Sequence, residues 1–303
     1  MLDTEKFKKD TTLASVTRIF TSFILYFSVL LLVGLVVAQI SAPDILTNLP
    51  SQIGKVMGVL VVLLILKSVF DVNPDKYGLR ISKLWTADLV GGILVGVLFQ
   101  ALSTVALLQL GDAEIAYTWS MGVFDSYTTI AVAITSTCIS FFIIGLSEDL
   151  LFRGIMIREF VIGFKSNGLS SRMAALASVV LSSILFGSIH FAAGASGLST
   201  SVVILQAIIA GLYFGIAYVL TDSLAIPVGI HFSTNLWTTV VFGEPDSGYP
   251  MFAGFNRSVE LELDLLLSLI LPSILLLLAV VVWVKVTRKE ALTFDLDALT
   301  NSD

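Results

Sequence analysis

Charge is scarce in this 303-residue chain: Asp, Glu, Lys and Arg together make up 13% of it, about half the usual share of a water-soluble domain. That scarcity excludes an ordinary soluble globule, because too few charged side chains exist to cover a water-facing surface. Cysteine occurs once, as Cys138 inside an apolar run, which excludes a disulfide framework and a thiolate metal cluster. Basic residues leave no surplus, since the net charge is −6, and no patch suited to nucleic acid remains. Tandem repeats, low-complexity tracts and linkers between soluble domains are also missing.

What the chain has in quantity is hydrophobic sequence, at 56%. Eight runs are long and apolar enough to cross a bilayer, near 19–40, 53–70, 87–110, 127–147, 174–193, 200–220, 223–242 and 263–284, each close to the roughly 20 residues a spanning helix needs. The first, Ile19 to Ile40, is longer than a signal-peptide core and reads as a retained anchor. The fourth is expected to continue as helix through Leu150–Phe164, since no glycine–proline break interrupts it. Short polar connectors carry the turn residues, among them Ser41–Asp44, Asn73-Pro74-Asp75, Ser166-Asn167-Gly168 and Gly243–Gly248. The fold class expected is all-α, a multi-pass helical bundle. Its expected parts are an N-terminal segment 1–18, accessory spans in 19–125, a core over 126–242, an outer loop and last span in 243–284, and a polar tail 285–303.

Lysine and arginine placement sets the expected orientation. With the N-terminus inside, fifteen of the seventeen fall on the inner side, and only Lys55 and Arg257 fall toward the other. Both termini are then cytoplasmic, in a protein of the cell membrane with an even number of spans.

An ionisable residue within a span costs a few kcal/mol unless it faces a cavity or a partner. Three clusters qualify. In Glu148-Asp149-Leu150-Leu151-Phe152-Arg153, at the end of the fourth run, Asp149 and Arg153 are four apart and can pair on one helical face, which leaves Glu148 free to act as a base. A solvated juxtamembrane cluster would use the same residues. The second is Phe186-Gly187-Ser188-Ile189-His190, the third His231-Phe232-Ser233-Thr234-Asn235. Each holds one of the only two histidines, and His231 shares a helical face with Asn235, as Phe186 does with His190. Structural hydrogen bonding between helices would also use such residues. Pro227, four residues before His231, is expected to kink that helix.

Depth links the clusters. Glu148 and His190 lie at similar distances on either side of the Ser166–Ser171 turn, and His231 and Asn235 fall about 12–18 Å into the seventh run. Together, a carboxylate, two imidazoles and an amide can deprotonate a water and stabilise an oxyanion. Glu148, His190 and His231 are alternatively a possible ligand set for one divalent metal, zinc above all. The spacing leaves metal-dependent and metal-free chemistry open.

In order, Glu148-Asp149-x-x-x-Arg153, Phe186-x-x-x-His190 and His231-x-x-x-Asn235 resemble the three motifs of the CAAX-processing and bacteriocin-immunity (CPBP) intramembrane endopeptidases, which include the type II CAAX prenyl endopeptidases. The resemblance covers about Ile130–Phe242. It implies Glu148 as general base, His190 as its partner, His231 and Asn235 around the oxyanion, and Arg153 orienting the carboxylates. Asp149 stands where the family usually has a second glutamate, which keeps the charge on a shorter side chain. The implied activity is hydrolysis of a peptide bond in a membrane-associated peptide or protein, with the lipid bilayer as the other partner and no nucleic acid. A proton-coupled transporter and a non-catalytic scaffold or immunity protein are the alternatives.

Overall fold

The computed structural model describes residues 11–37, 39, 49–110, 113–122, 124, 126–192, 200–243, 251–257 and 262–288. The basic residues before Thr11, the connector Ser41–Asp44, most of Gly243–Gly248 and the tail from Lys289 lie outside them.

Helices carry the molecule: α1 (Thr12–Val37), α2 (Leu49–Ser68), α3 (Lys83–Leu110), α4 (Tyr127–Asp149), α5 (Arg158–Ser166), α6 (Ser171–Ser188), α7 (Thr200–Thr221), α8 (Ala225–Leu236) and α9 (Glu262–Arg288). Seven of the resulting rods are long and apolar enough to cross a membrane. Their outward faces are hydrocarbon, with Phe20, Ile24, Leu31, Leu94, Val132, Leu271 and Leu278 all exposed, as lipid contact requires. The chain is an integral membrane helical bundle. The seventh apolar run, 223–242, makes a shorter element: α8 extends as a π-helix over Trp237–Val241 and packs inside the bundle.

The fourth run does continue, as one helical rod from Tyr127 to Ser166. Its middle, Leu150–Ile157, is a π-helix buried at every residue, and it begins directly after the Glu148-Asp149 pair. A stretch of i→i+5 bonding rotates successive side chains by a different angle from an α-helix and is common at functional sites. Here it turns Leu150, Leu151, Phe152 and Ile155 into the main apolar cluster.

Between α4–α5 and α6 the chain turns at Gly168, whose φ of 89° suits glycine. Across this hairpin Ser182 Oγ donates to the Phe152 carbonyl at 2.6 Å. In an antiparallel pair that register sets Glu148 level with Phe186, one turn below His190.

Helices α3 and α8 run parallel in close contact, because glycine removes side chains where the backbones meet. An added Cβ at Gly92 would stand 2.5 Å from the Ile226 carbonyl oxygen, and one at Gly229 would stand 2.5 Å from the Leu89 oxygen and 2.7 Å from the Ile93 nitrogen. At Gly96 it would meet the Ser233 hydroxyl and lie 2.9 Å from Ile230 Cα. All but one of these neighbours are backbone and cannot swing aside. Gly229→Val should therefore cost about 1–3 kcal/mol through overpacking and displace His231, half a turn on. A lower midpoint of thermal unfolding in nanodiscs is the expected readout, and an unchanged midpoint would contradict the close-contact account.

Two ionic ties, one buried and one partly buried, fasten the outer helices to this frame. Arg18 of α1 pairs with Glu159 of α5 at 2.7 Å, and Tyr77 donates to Glu159 at 2.8 Å. Burial, with the Glu159 carboxylate beside it, holds the Tyr77 phenol well above its ordinary pKa, so it remains a donor. In α9, Arg288 pairs with Asp88 of α3 at 2.7 Å, and Trp283 donates to the same carboxylate at 2.9 Å.

The sequence reading missed a small three-stranded sheet of order β1-β3-β2, made of β1 (Ala113–Ser120), β2 (Phe242–Gly243) and β3 (Met251–Arg257). β1 runs antiparallel to β3 with a bulge between Ile115 and Tyr117, and β2 runs parallel to β3. These segments were expected to be simple connectors. The run Ile115-Ala116-Tyr117-Thr118-Trp119, rich in aromatic and branched residues, was the available signal. Pro227 also differs from expectation. It sits in the first turn of α8, where its missing N–H would have had no intrahelical partner, so no kink is required.

Candidate active site

The α4/π junction, the end of α6 and the middle of α8 bring the three clusters together. His231 is the meeting point. Its Nε2 lies 3.8 Å from Glu148 Oε2 and its Nδ1 lies 3.4 Å from Asp149 Oδ2. Whichever nitrogen carries the hydrogen, one N–H faces a carboxylate. The ring stacks on Phe214 of α7 at 4.9 Å between centroids and 22° between planes, which fixes its orientation.

The two adjacent acids differ in surroundings. Asp149 is 0% exposed, with Arg153 Nη1 3.1 Å from its Oδ1; the expected i,i+4 pair forms. Arg153 is itself 1% exposed, with Phe186 and Phe214 rings 4.0 and 4.8 Å from its Cζ. Cation–π attraction on two rings, each on the order of 1–2 kcal/mol when desolvated, together with the Asp149 charge, offsets part of the cost of burying a guanidinium. Neither Asp149 oxygen nor either terminal Arg153 nitrogen has an aligned hydrogen bond among the described residues, so charge and ring contact define this pair. Glu148, at 21% side-chain exposure, is the acid that a reactant can reach.

His190 sits at the other edge of Phe186, 4.7 Å between ring centroids. Its Nδ1 lies 2.8 Å from the Phe186 carbonyl oxygen. A carbonyl only accepts, so Nδ1 donates, and in the neutral ring Nε2 keeps a lone pair. Phe186, His190, His231 and Asn235 all line one cavity of about 290 Å³, whose walls also include Gln100, Ser103, Thr104, Tyr213, Phe214, Thr234 and Trp237. Glu148 approaches His231 but is not among the residues lining that cavity.

Several neighbours escaped the sequence reading. Phe214 looked like any apolar residue of its span, and only three-dimensional contact reveals its hold on both His231 and Arg153. Connector counting puts Lys55 toward the far side, yet it lies in the electrostatic neighbourhood of Glu148. The register explains why: Tyr26 of α1 lies beside Ser147 and packs against Gly58, where an added Cβ would be 2.8 Å from its ring. Lys55 is one turn before Gly58. Gln100, Ser103 and Thr104 carried a readable signal, being polar residues at i, i+3 and i+4 within an apolar span.

The possible metal set Glu148, His190 and His231 does not assemble as one ligand group. Among the described residues no three His, Cys, Asp or Glu side chains converge as a metal site. His231 turns its two nitrogens to two different carboxylates, and Asp149 is already paired with Arg153.

Comparison with curated proteins and with solved structures found no match. A family model does match: residues 129–237 align with the one described as Type II CAAX prenyl endopeptidase Rce1-like, and that segment contains Glu148, Asp149, Arg153, Phe186, His190, His231 and Asn235. Over residues 129–237, the chain is thus similar to the type II CAAX prenyl endopeptidase family that its three motifs resemble.

Proposed function

We propose that this membrane protein is an intramembrane endopeptidase that hydrolyses a peptide bond in a membrane-associated peptide or protein. The match is to a protease family. The observation that carries the reading is the approach of reachable Glu148 to His231, in a site where His231, His190 and Asn235 share one cavity wall.

In this mechanism Glu148 takes a proton from water as it attacks the scissile carbonyl. His190, with Nδ1 tied to the Phe186 carbonyl, offers Nε2 as the second hydrogen-bonding partner of that water, and Glu148 then returns the proton it took to the leaving amine. His231 and Asn235 donate to the oxygen of the tetrahedral intermediate. Asp149 and Arg153 hold the imidazole and the helix junction in place and do not exchange protons with substrate. CAAX-type or secreted-peptide processing is the substrate class, and both termini face the cytoplasm.

The test uses the full chain in nanodiscs with fluorophore-labelled single-spanning and lipid-anchored peptides, with products sequenced by mass spectrometry. Uptake assays on the same protein in liposomes run in parallel. Products with a new terminus at a defined bond are expected. Substrate-dependent proton uptake without cleavage would instead support transport and sink the proposal.

A further inference from the structure

One wall of the cavity is left unexplained by the three motifs. It is the face of α3 carrying Gln100, Ser103 and Thr104, which lies outside the matched segment 129–237. Gln100 and Ser103 are 7% and 6% exposed. Serines inside helices of this protein ordinarily donate to a carbonyl one turn earlier, as Ser22, Ser178, Ser183 and Ser233 do. Ser103 makes no such bond: its hydroxyl has no partner among the described residues, and neither does the Thr234 hydroxyl that also lines the cavity. Thr104 accepts a hydrogen bond from Trp237 Nε1 at 3.1 Å, which ties this part of α3 to α8 and leaves the Thr104 hydroxyl proton available.

The register of the two helices fixes where this wall lies. Gly92 meets Ile226, Gly96 meets Ile230, and Thr104 meets Trp237, so the partners keep a nearly constant offset and the helices run parallel. Gln100 is therefore level with Thr234 and Asn235, and Ser103 is level with Trp237. From the level of His231 to Thr104 the wall runs about 10 Å along α3, the length of about three residues of extended peptide.

A peptide bond can be attacked only once its carbonyl leaves its helical hydrogen bond. Inside a membrane, every backbone group so released must find a partner, since an orphan costs several kcal/mol. A carboxamide and two hydroxyls both donate and accept, which matches the alternating C=O and N–H groups of an unwound strand. We infer that Gln100 and Ser103, with Thr234 opposite, form a backbone-docking subsite for about three residues of extended peptide on one side of the scissile bond. This rests on the proteolytic reading and adds to it the conformation of the substrate and the residues that hold it.

Gln100→Leu and Ser103→Ala, singly and together, test the subsite in the full chain in nanodiscs. Each should raise KM for a cleaved peptide about fivefold to tenfold with kcat nearly unchanged, the result of losing one neutral hydrogen bond made equally in ground and transition states. Ser103→Thr should restore KM. Replacing one substrate amide beside the scissile bond with an ester should weaken the wild type and leave the double variant indifferent, which a merely structural role would not produce. Binding of the same labelled peptides to Glu148→Gln protein, read by fluorescence anisotropy, separates the two ideas. Amide-dependent binding that falls in the α3 variants, without cleavage by the wild type, would sink proteolysis and retain the subsite. Cleavage with KM unmoved by the double variant, or no amide-dependent binding at all, would overturn the subsite.

Discussion

Glu148→Gln in the reconstituted protein should lower the single-turnover rate of peptide cleavage by about a thousandfold, within the 10²–10⁴ range that a positioned general base supplies. The substitution keeps the shape of the side chain and removes only its ability to take a proton. At 21% exposure Glu148 is in contact with solvent-accessible space, so the neutral amide brings no large desolvation effect, and the unfolding midpoint should stay within a few degrees of wild type. Glu148→Asp should be intermediate, because it retracts the carboxylate by one methylene from a His231 already 3.8 Å away. A rate within tenfold of wild type for Glu148→Gln would remove Glu148 from the mechanism. Asp149→Asn should behave differently, acting through Arg153 and His231 with a loss of stability as well as rate.

That contrast between neighbouring acids shows which parts of the site were legible in the sequence. The i,i+4 relation of Asp149 to Arg153 is a property of local helical geometry, and the pair formed as the spacing implied. Two histidines on apolar spans signalled a shared cavity through the cost of burying them, and both line it. What escaped depends on long-range packing or on departures from the regular helix. The π-helices at Leu150–Ile157 and Trp237–Val241 each begin within two residues of a site residue, yet no composition rule separates them from an α-helix. They alter which face each later residue presents, and period-3.6 reasoning fails beyond that point. Phe214 is one phenylalanine among 20; its role comes from α7 crossing beside α6 and α8. Connector counting places Lys55 without regard to a long rod such as Tyr127–Ser166, which can bring mid-helix residues level with the start of another span. Pro227 falls in a first turn because α8 starts only two residues earlier, a boundary that a continuous apolar run does not mark.

Arg153→Met should destabilise the folded protein by about 3–5 kcal/mol, the usual result of removing one partner from a fully buried ion pair. The variant leaves the Asp149 carboxylate, at 0% exposure, with His231 Nδ1 as the polar group at 3.4 Å. It also removes the cation held between Phe186 and Phe214. Arg153→Lys is not a conservative remedy. An ammonium lacks the flat faces that the two rings cover, so this variant should recover only part of the loss. Asp149→Leu/Arg153→Met should be more stable than Arg153→Met alone, because the double change leaves no unpaired charge and replaces the pair with apolar groups. Thermal unfolding in nanodiscs of the single and double variants completes the cycle. A single variant as stable as wild type, or a double variant less stable than Arg153→Met, would contradict the account of this pair as a buried anchor. The double variant is also informative about catalysis, since it removes the group facing His231 Nδ1 but leaves Glu148 and His190 intact. If Asp149 orients the imidazole, the double variant should fold yet cleave slowly; wild-type rates in it would reduce the Asp149–Arg153 pair to a purely structural tie.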